Sequence, residues 1–205
     1  IHTIFNFSNV IILAPFTKLI ARLANKLVKE KGGEEKAKTE AVYLDERLFR
    51  SPAVAVMECD NYASKMAVIA KDTILKSLEL VFSHNKDEAK KIKEYETTLD
   101  VYEDQLGTYL VKLSSESLTN NDARTVSKML HNIGDFERLG DHALNLQKVA
   151  EEIHDKKVQF SENARKEITL LLQAIAEITI LTTRVYEKND ARLAARVEPL
   201  EQVID

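Results

Sequence analysis

From Lys86 to Glu116 the chain reads KDEAKKIKEYETTLDVYEDQLGTYLVKLSSE. Ile92, Leu99, Leu106 and Leu113 recur every seventh residue, and Tyr95, Tyr102 and Tyr109 fill the second apolar position between them. That spacing keeps both sets on one side of a helix and predicts a seam packed against neighbouring helices. The pattern returns over residues 123–154, where Met129, Phe136, Ala143 and Ala150 alternate with Leu139, Leu146 and Ile153. Upstream, Ser51-Pro52 supplies a cap residue and a proline at the first helical position, opening a helix that reaches Phe82. Ser83-His84-Asn85 interrupts it, Thr119-Asn120-Asn121-Asp122 caps the third helix, and Ser161 caps a fourth that extends to Glu187. Asn189-Asp190 opens a fifth, read as continuous to Asp205. Connections this short make successive helices antiparallel, so the expected fold is an all-α, up-down helical bundle over residues 51–205.

Three carboxylate pairs are laid on this frame: Glu96–Asp100, Glu137–Asp141 and Glu201–Asp205. A spacing of four puts both acids of a pair on one helical face, where their oxygens could meet one cation. Carboxylate oxygen suits Mg, Mn, Ca or Fe. The acids flank the apolar seams rather than occupy them, so the pairs are expected to face outward. An acidic flank is ordinarily a solvated face, but the first and third pairs also share their surroundings. Ala89-Lys90-Lys91-Ile92…Glu96…Leu99-Asp100 resembles Ala194-Ala195-Arg196-Val197…Glu201…Ile204-Asp205, 105 positions later. The chain is therefore read as a fragment of a two-repeat protein, with repeat one over 51–156 and part of repeat two over 161–205. Gly134 and Gly140, inside the third helix, each cost about 1 kcal/mol against Ala and suggest a close approach of helices there.

Net charge is −4, which argues against non-specific nucleic-acid binding. The single Cys59 excludes a disulfide framework and fits a reducing compartment. Residues 1–17 contain no Asp, Glu, Lys or Arg, and a basic stretch follows with Lys18, Arg22, Lys26, Lys29 and Lys31. An apolar run leaving into cationic residues predicts the end of a membrane span over 1–28, emerging on the cytoplasmic side. A buried or interfacial helix is the competing reading. A charged linker and lead-in over 29–50, with Gly32-Gly33 near its start, then tethers the bundle.

Glu137-Arg138-Leu139-Gly140-Asp141-His142-Ala143-Leu144-Asn145-Leu146 resembles the third-helix signature of the PhoU family. The resemblance implies two three-helix bundles side by side, with multinuclear metal clusters held by acidic pairs on the bundle surface. It carries Glu96, Asp100, Glu137 and Asp141 over as ligands of one metal site, and Glu201 and Asp205 as part of an incomplete second. The ion implied is divalent or trivalent: Fe, Mn, Zn or Mg. His2-Thr3-Ile4-Phe5-Asn6 with Leu13-Ala14-Pro15-Phe16, and Tyr43-Leu44-Asp45-Glu46-Arg47-Leu48 before Ser51-Pro52, resemble the last span and lead-in of bacterial Na⁺/phosphate cotransporter-family proteins. This resemblance implies the C-terminal part of a symporter in the inner (plasma) membrane. Its PhoU-like domain would lie in the cytoplasm and regulate phosphate uptake, with phosphate and sodium handled by a membrane domain outside this sequence. A regulatory protein or a second copy are the partners expected of the bundle.

No enzyme activity is expected. A di-iron carboxylate oxidase would need Glu-x-x-His from two helices and a Glu from each of two others, all facing inward. Only Glu151–His154 offers that motif, at a helix end. An adaptor that binds a signalling partner without metal remains the alternative. His131, His142 and His154 lie along one helix without converging and are read as surface or capping residues.

Overall fold

The computed structural model describes residues 42–204, so the expected span over 1–28, most of the linker and Asp205 lie outside the described residues. A short 3-10 helix, Glu46–Arg50, leads into α1 (Pro52–Leu80), α2 (Lys86–Ser114), α3 (Asn120–Asp155) and α4 (Glu162–Lys188). Two short helices follow, α5 (Ala191–Ala194) and α6 (Val197–Ile204). There is no strand among the described residues. The fold is the all-α antiparallel bundle that the heptads predict. Helices α1, α2 and α3 pack against one another, and α4 lies against α1, α5 and α6.

The caps follow the expected chemistry at four helix starts. The Asn85 carboxamide accepts from the amides of Asp87 and Glu88, and the Thr119 hydroxyl accepts from that of Asp122. Ser161 accepts from Ala164, and Asp190 from Arg192 and Leu193. Each satisfies donors that the first helical turn leaves unpaired. Ser51 differs, because its side chain makes no capping bond; Pro52 starts α1 through its fixed φ and absent N–H.

The fifth helix is two helices rather than one. Pro199 cannot donate to the carbonyl of Ala195, and its ring would collide with that oxygen in a continuous helix. The chain breaks at Ala195-Arg196, and Pro199 falls in the first turn of α6. The likeness between 89–100 and 194–205 therefore holds for sequence but not for continuous structure. The first segment is wholly inside α2, and the second straddles a break.

In the core, Ile92, Leu99, Leu106 and Leu113 are fully buried, as are Tyr102 and nearly Tyr109. Phe49 of the 3-10 helix packs on the Tyr109 ring, centroids 4.7 Å apart, and the Tyr109 hydroxyl donates to the Asp45 carbonyl at 2.9 Å. These contacts close the lower end of the bundle. Cys59 is fully buried on α1; burial, with Glu58 and Asp60 adjacent, pushes its thiol up to about 12, so it packs as an inert small hydrophobe.

The α3 seam differs from the heptad expected. Val126, Met129, Ile133, Gly140, Ala143, Gln147 and Ala150 are buried, whereas Leu139, Leu146 and Ile153 are only partly so. The second seam position is thus Val126, Ile133, Gly140 and Gln147, one residue beyond the leucines that the apolar pattern selects. Burial at this seam is set by how closely α2 and α1 approach, not by side-chain hydrophobicity. At the tightest point a Cβ would force the facing side chain to shift.

Gly140 is that point. A Cβ built there would meet Leu99 Cδ1 at 2.6 Å, well inside contact distance. Gly134, by contrast, has nothing within 4 Å of such a Cβ. The close approach expected of both glycines belongs to Gly140 alone. Gly134→Ala is accordingly expected to stabilise the chain by about 0.5–1 kcal/mol through backbone entropy and helix propensity, read as a higher urea midpoint at unchanged m.

Candidate functional site

Leu99 and Gly140 are packed seam to seam, and the acids follow immediately from that contact. With Leu99 and Gly140 as equivalent heptad positions, Asp100 and Asp141 each come one residue later, and Glu96 and Glu137 each three residues earlier. Both pairs therefore occupy the same two flanking positions, on two helices drawn together by a missing side chain. Glu96 and Glu137 are half-buried; Asp100 and Asp141 are exposed.

The two pairs are coupled electrostatically. Burial raises the Glu96 carboxyl above its ordinary value, and Asp100 and Asp141 add repulsion; a Thr97 hydrogen bond and Lys148 partly offset this. Asp100 is raised by burial and then by Asp141. Glu137 is raised by burial, then by Asp141, Asp100 and Glu103, with Arg138 opposing. Repulsion thus crosses from α2 to α3 and links the four predicted acids, and Glu103 adds to it at Glu137. None of the four predicted acids forms a salt bridge with a described residue. Glu88, earlier on α2, does pair, with Lys76 and Lys91 at 3.1 and 2.7 Å.

Several clefts of the bundle lie away from these four acids. One of about 520 Å³ is lined by Lys128, Phe136, Tyr186 and Asn189 among others, and includes none of the four acids. Among the described residues, no group of three or more His, Cys, Asp or Glu side chains converges closely enough to hold one metal ion. The donor set fits a hard cation in chemistry and in sign, and enclosing one would require these side chains to turn toward each other. The third expected pair is not assembled: Glu201 is exposed on α6, and Asp205 lies outside the described residues.

Two features escaped the sequence reading. His84, in the turn before α2, stacks on His154 in the last turn of α3. Helix α4 is also long and apolar enough to cross a membrane by length and composition, with mean hydropathy 1.5 over its most apolar stretch. In the bundle it packs on α1, α5 and α6, burying Thr179, Leu181 and Thr183, while Leu170 and Leu171 stay exposed. Length and composition alone do not separate a membrane helix from one that packs on two sides.

The fold and its paired acids define a helical bundle with an acidic outer face. Residues 63–150, from α1 through nearly all of α3, match the family model described as the PhoU domain. The match spans both helices that carry the acids. No curated protein and no solved structure matches the chain.

Proposed function

We propose that residues 51–205 are a PhoU-like regulatory domain of a sodium-dependent phosphate symporter, holding a metal ion on the α2–α3 face. Phosphate and sodium are handled by the membrane part of that protein, at the inner (plasma) membrane, and the bundle acts on it from the cytoplasm. The observation that carries this reading is the placement of Glu96, Asp100, Glu137 and Asp141 on matching flanks of α2 and α3, where Asp100 and Asp141 repel carboxyls of the neighbouring helix, within the PhoU match. Carboxylates that repel one another across two helices are explained if an Fe, Mn, Zn or Mg ion neutralises them. A cation bound there would join α2 to α3 and give the domain two states, one with repelling acids and one with bridged ones. Glu201 and Asp205 belong to a second, partial site in this reading. The residues from 1 to 28 anchor the domain in the membrane.

The test is elemental analysis of the purified full chain beside its Glu137→Ala/Asp141→Ala variant. Bound metal is expected in the first and none in the second, both remaining helical by circular dichroism. A folded wild-type chain without metal, even after incubation with Fe or Mn, removes the metal from the proposal. It would leave an adaptor that presents an acidic surface to a basic partner. Fractionation of cells expressing the chain checks the membrane assignment, with recovery in the soluble fraction as the contrary result.

A further inference from the structure

The cleft of about 520 Å³ lies between α3, the C-terminal end of α4 and α5, a size typical of small-ligand sites. Phe136, Val185 and Tyr186 give it an apolar lining, and the Phe136 and Tyr186 rings meet edge to face at 5.0 Å. Lys128, Asn132 and Asp135 line it from α3 at spacings of four and three, which puts them along one side of that helix. The Lys128 ammonium donates to the Asn189 carboxamide at 2.9 Å and stands over the Tyr186 ring, so its position is fixed. It has no carboxylate partner, and the Asn132 and Asp135 side chains have no hydrogen bond or ion pair with any described residue. Asp190, the other acid of the cleft, already accepts from the amides of Arg192 and Leu193. The cleft therefore offers an unpaired cation and an unpaired anion two helical turns apart, with a free carboxamide between them.

We propose that this cleft binds a short zwitterionic peptide, with its terminal carboxylate at Lys128 and its terminal ammonium at Asp135. Opposite charges at the two ends select a dipolar ligand, because a plain anion would also meet Asp135 and a plain cation would also meet Lys128. Length selects the peptide. Seven residues of α-helix rise about 10.5 Å, and a peptide of about three extended residues spans about 10 Å. In a single amino acid the two backbone charges flank one carbon and cannot reach both ends. The Asn132 carboxamide, which both donates and accepts, matches a peptide bond between them, and the apolar lining receives a side chain. None of the four acids of the α2–α3 face lines this cleft, so it is a separate site.

The probe is the tripeptide Ala-Leu-Ala, titrated into the full chain and followed by amide NMR shifts. Saturable shifts at Asn132, Asp135 and Asn189 are expected in the millimolar range, and acetylating the peptide's amine or amidating its carboxylate should each weaken binding by about fivefold. Lys128 and Asp135 are both exposed, so the fold tolerates their replacement. In Asp135→Asn the acetylated and free peptides should bind alike while amidation still weakens binding. In Lys128→Gln the dependence should reverse, with amidation losing its effect and acetylation keeping it. Absence of shifts at tens of millimolar peptide, shifts confined to other residues, or blocked peptides that bind wild type as well as the free one overturn the assignment. The readout needs no metal, so failure of the carboxylate proposal does not alter it.

Discussion

Leu99→Ala is expected to destabilise the bundle by about 3–4 kcal/mol, the range for deleting a fully buried leucine that its surroundings cannot collapse to fill. Gly140→Ala should cost about 1–2 kcal/mol: its new methyl would stand 2.6 Å from Leu99 Cδ1, and the gain in helix propensity offsets only part of the overpacking. The combination is the informative variant. In Leu99→Ala/Gly140→Ala the methyl gains the space that the leucine vacated, so the double variant should be more stable than the sum of the single changes predicts. A coupling energy of about 1–2 kcal/mol is expected from urea denaturation. Strict additivity would mean that the two helices are not held at the distance described.

The second large effect concerns pH. Glu96, Asp100 and Glu137 have folded-state values above their ordinary ones, so the folded chain binds their protons more tightly than the unfolded chain does. Stability therefore falls as pH rises from the ordinary carboxylate range, about 4, through the raised folded values. In metal-free protein the triple variant Glu96→Gln/Asp100→Asn/Glu137→Gln should be more stable than wild type at neutral pH. Discounted for partial exposure, the gain is about 1 kcal/mol. It should shrink as pH falls toward 4 and the wild-type acids become neutral on their own, checked by melting temperatures across that range. If the metal proposal holds, adding Mn²⁺ reverses the order at neutral pH, because only the wild type retains ligands. A triple variant less stable than metal-free wild type at neutral pH would contradict the repulsion that links the two helices.

Both predictions turn on the same few ångströms, where Leu99 meets Gly140, and they show how the site is built. A seam residue without a side chain draws α2 and α3 together. The positions beside that seam then approach one another, and they carry acids on both helices. Unneutralised, these acids repel one another across the two helices.

Much of this was legible in the residues alone. Seven-residue recurrence is a local property, so the helices, their antiparallel order and the α2 core from Ile92 to Leu113 follow from spacing. So do the caps at Thr119, Ser161 and Asp190, since each satisfies its own first turn. The pairing of acids along each helix is likewise a matter of spacing. What the residues alone left open depends on contact between distant segments. The α3 seam through Gly140 and Gln147 was hidden because apolarity points to Leu139 and Leu146, while helix separation decides which position is buried. That Glu96 and Asp100 face Glu137 and Asp141 needs the distance between α2 and α3, which no single helix contains. His84 and His154 are 70 residues apart and share no pattern; only the meeting of two turns brings them face to face. Local periodicity determined the elements, and close packing between them decided which side chains act together.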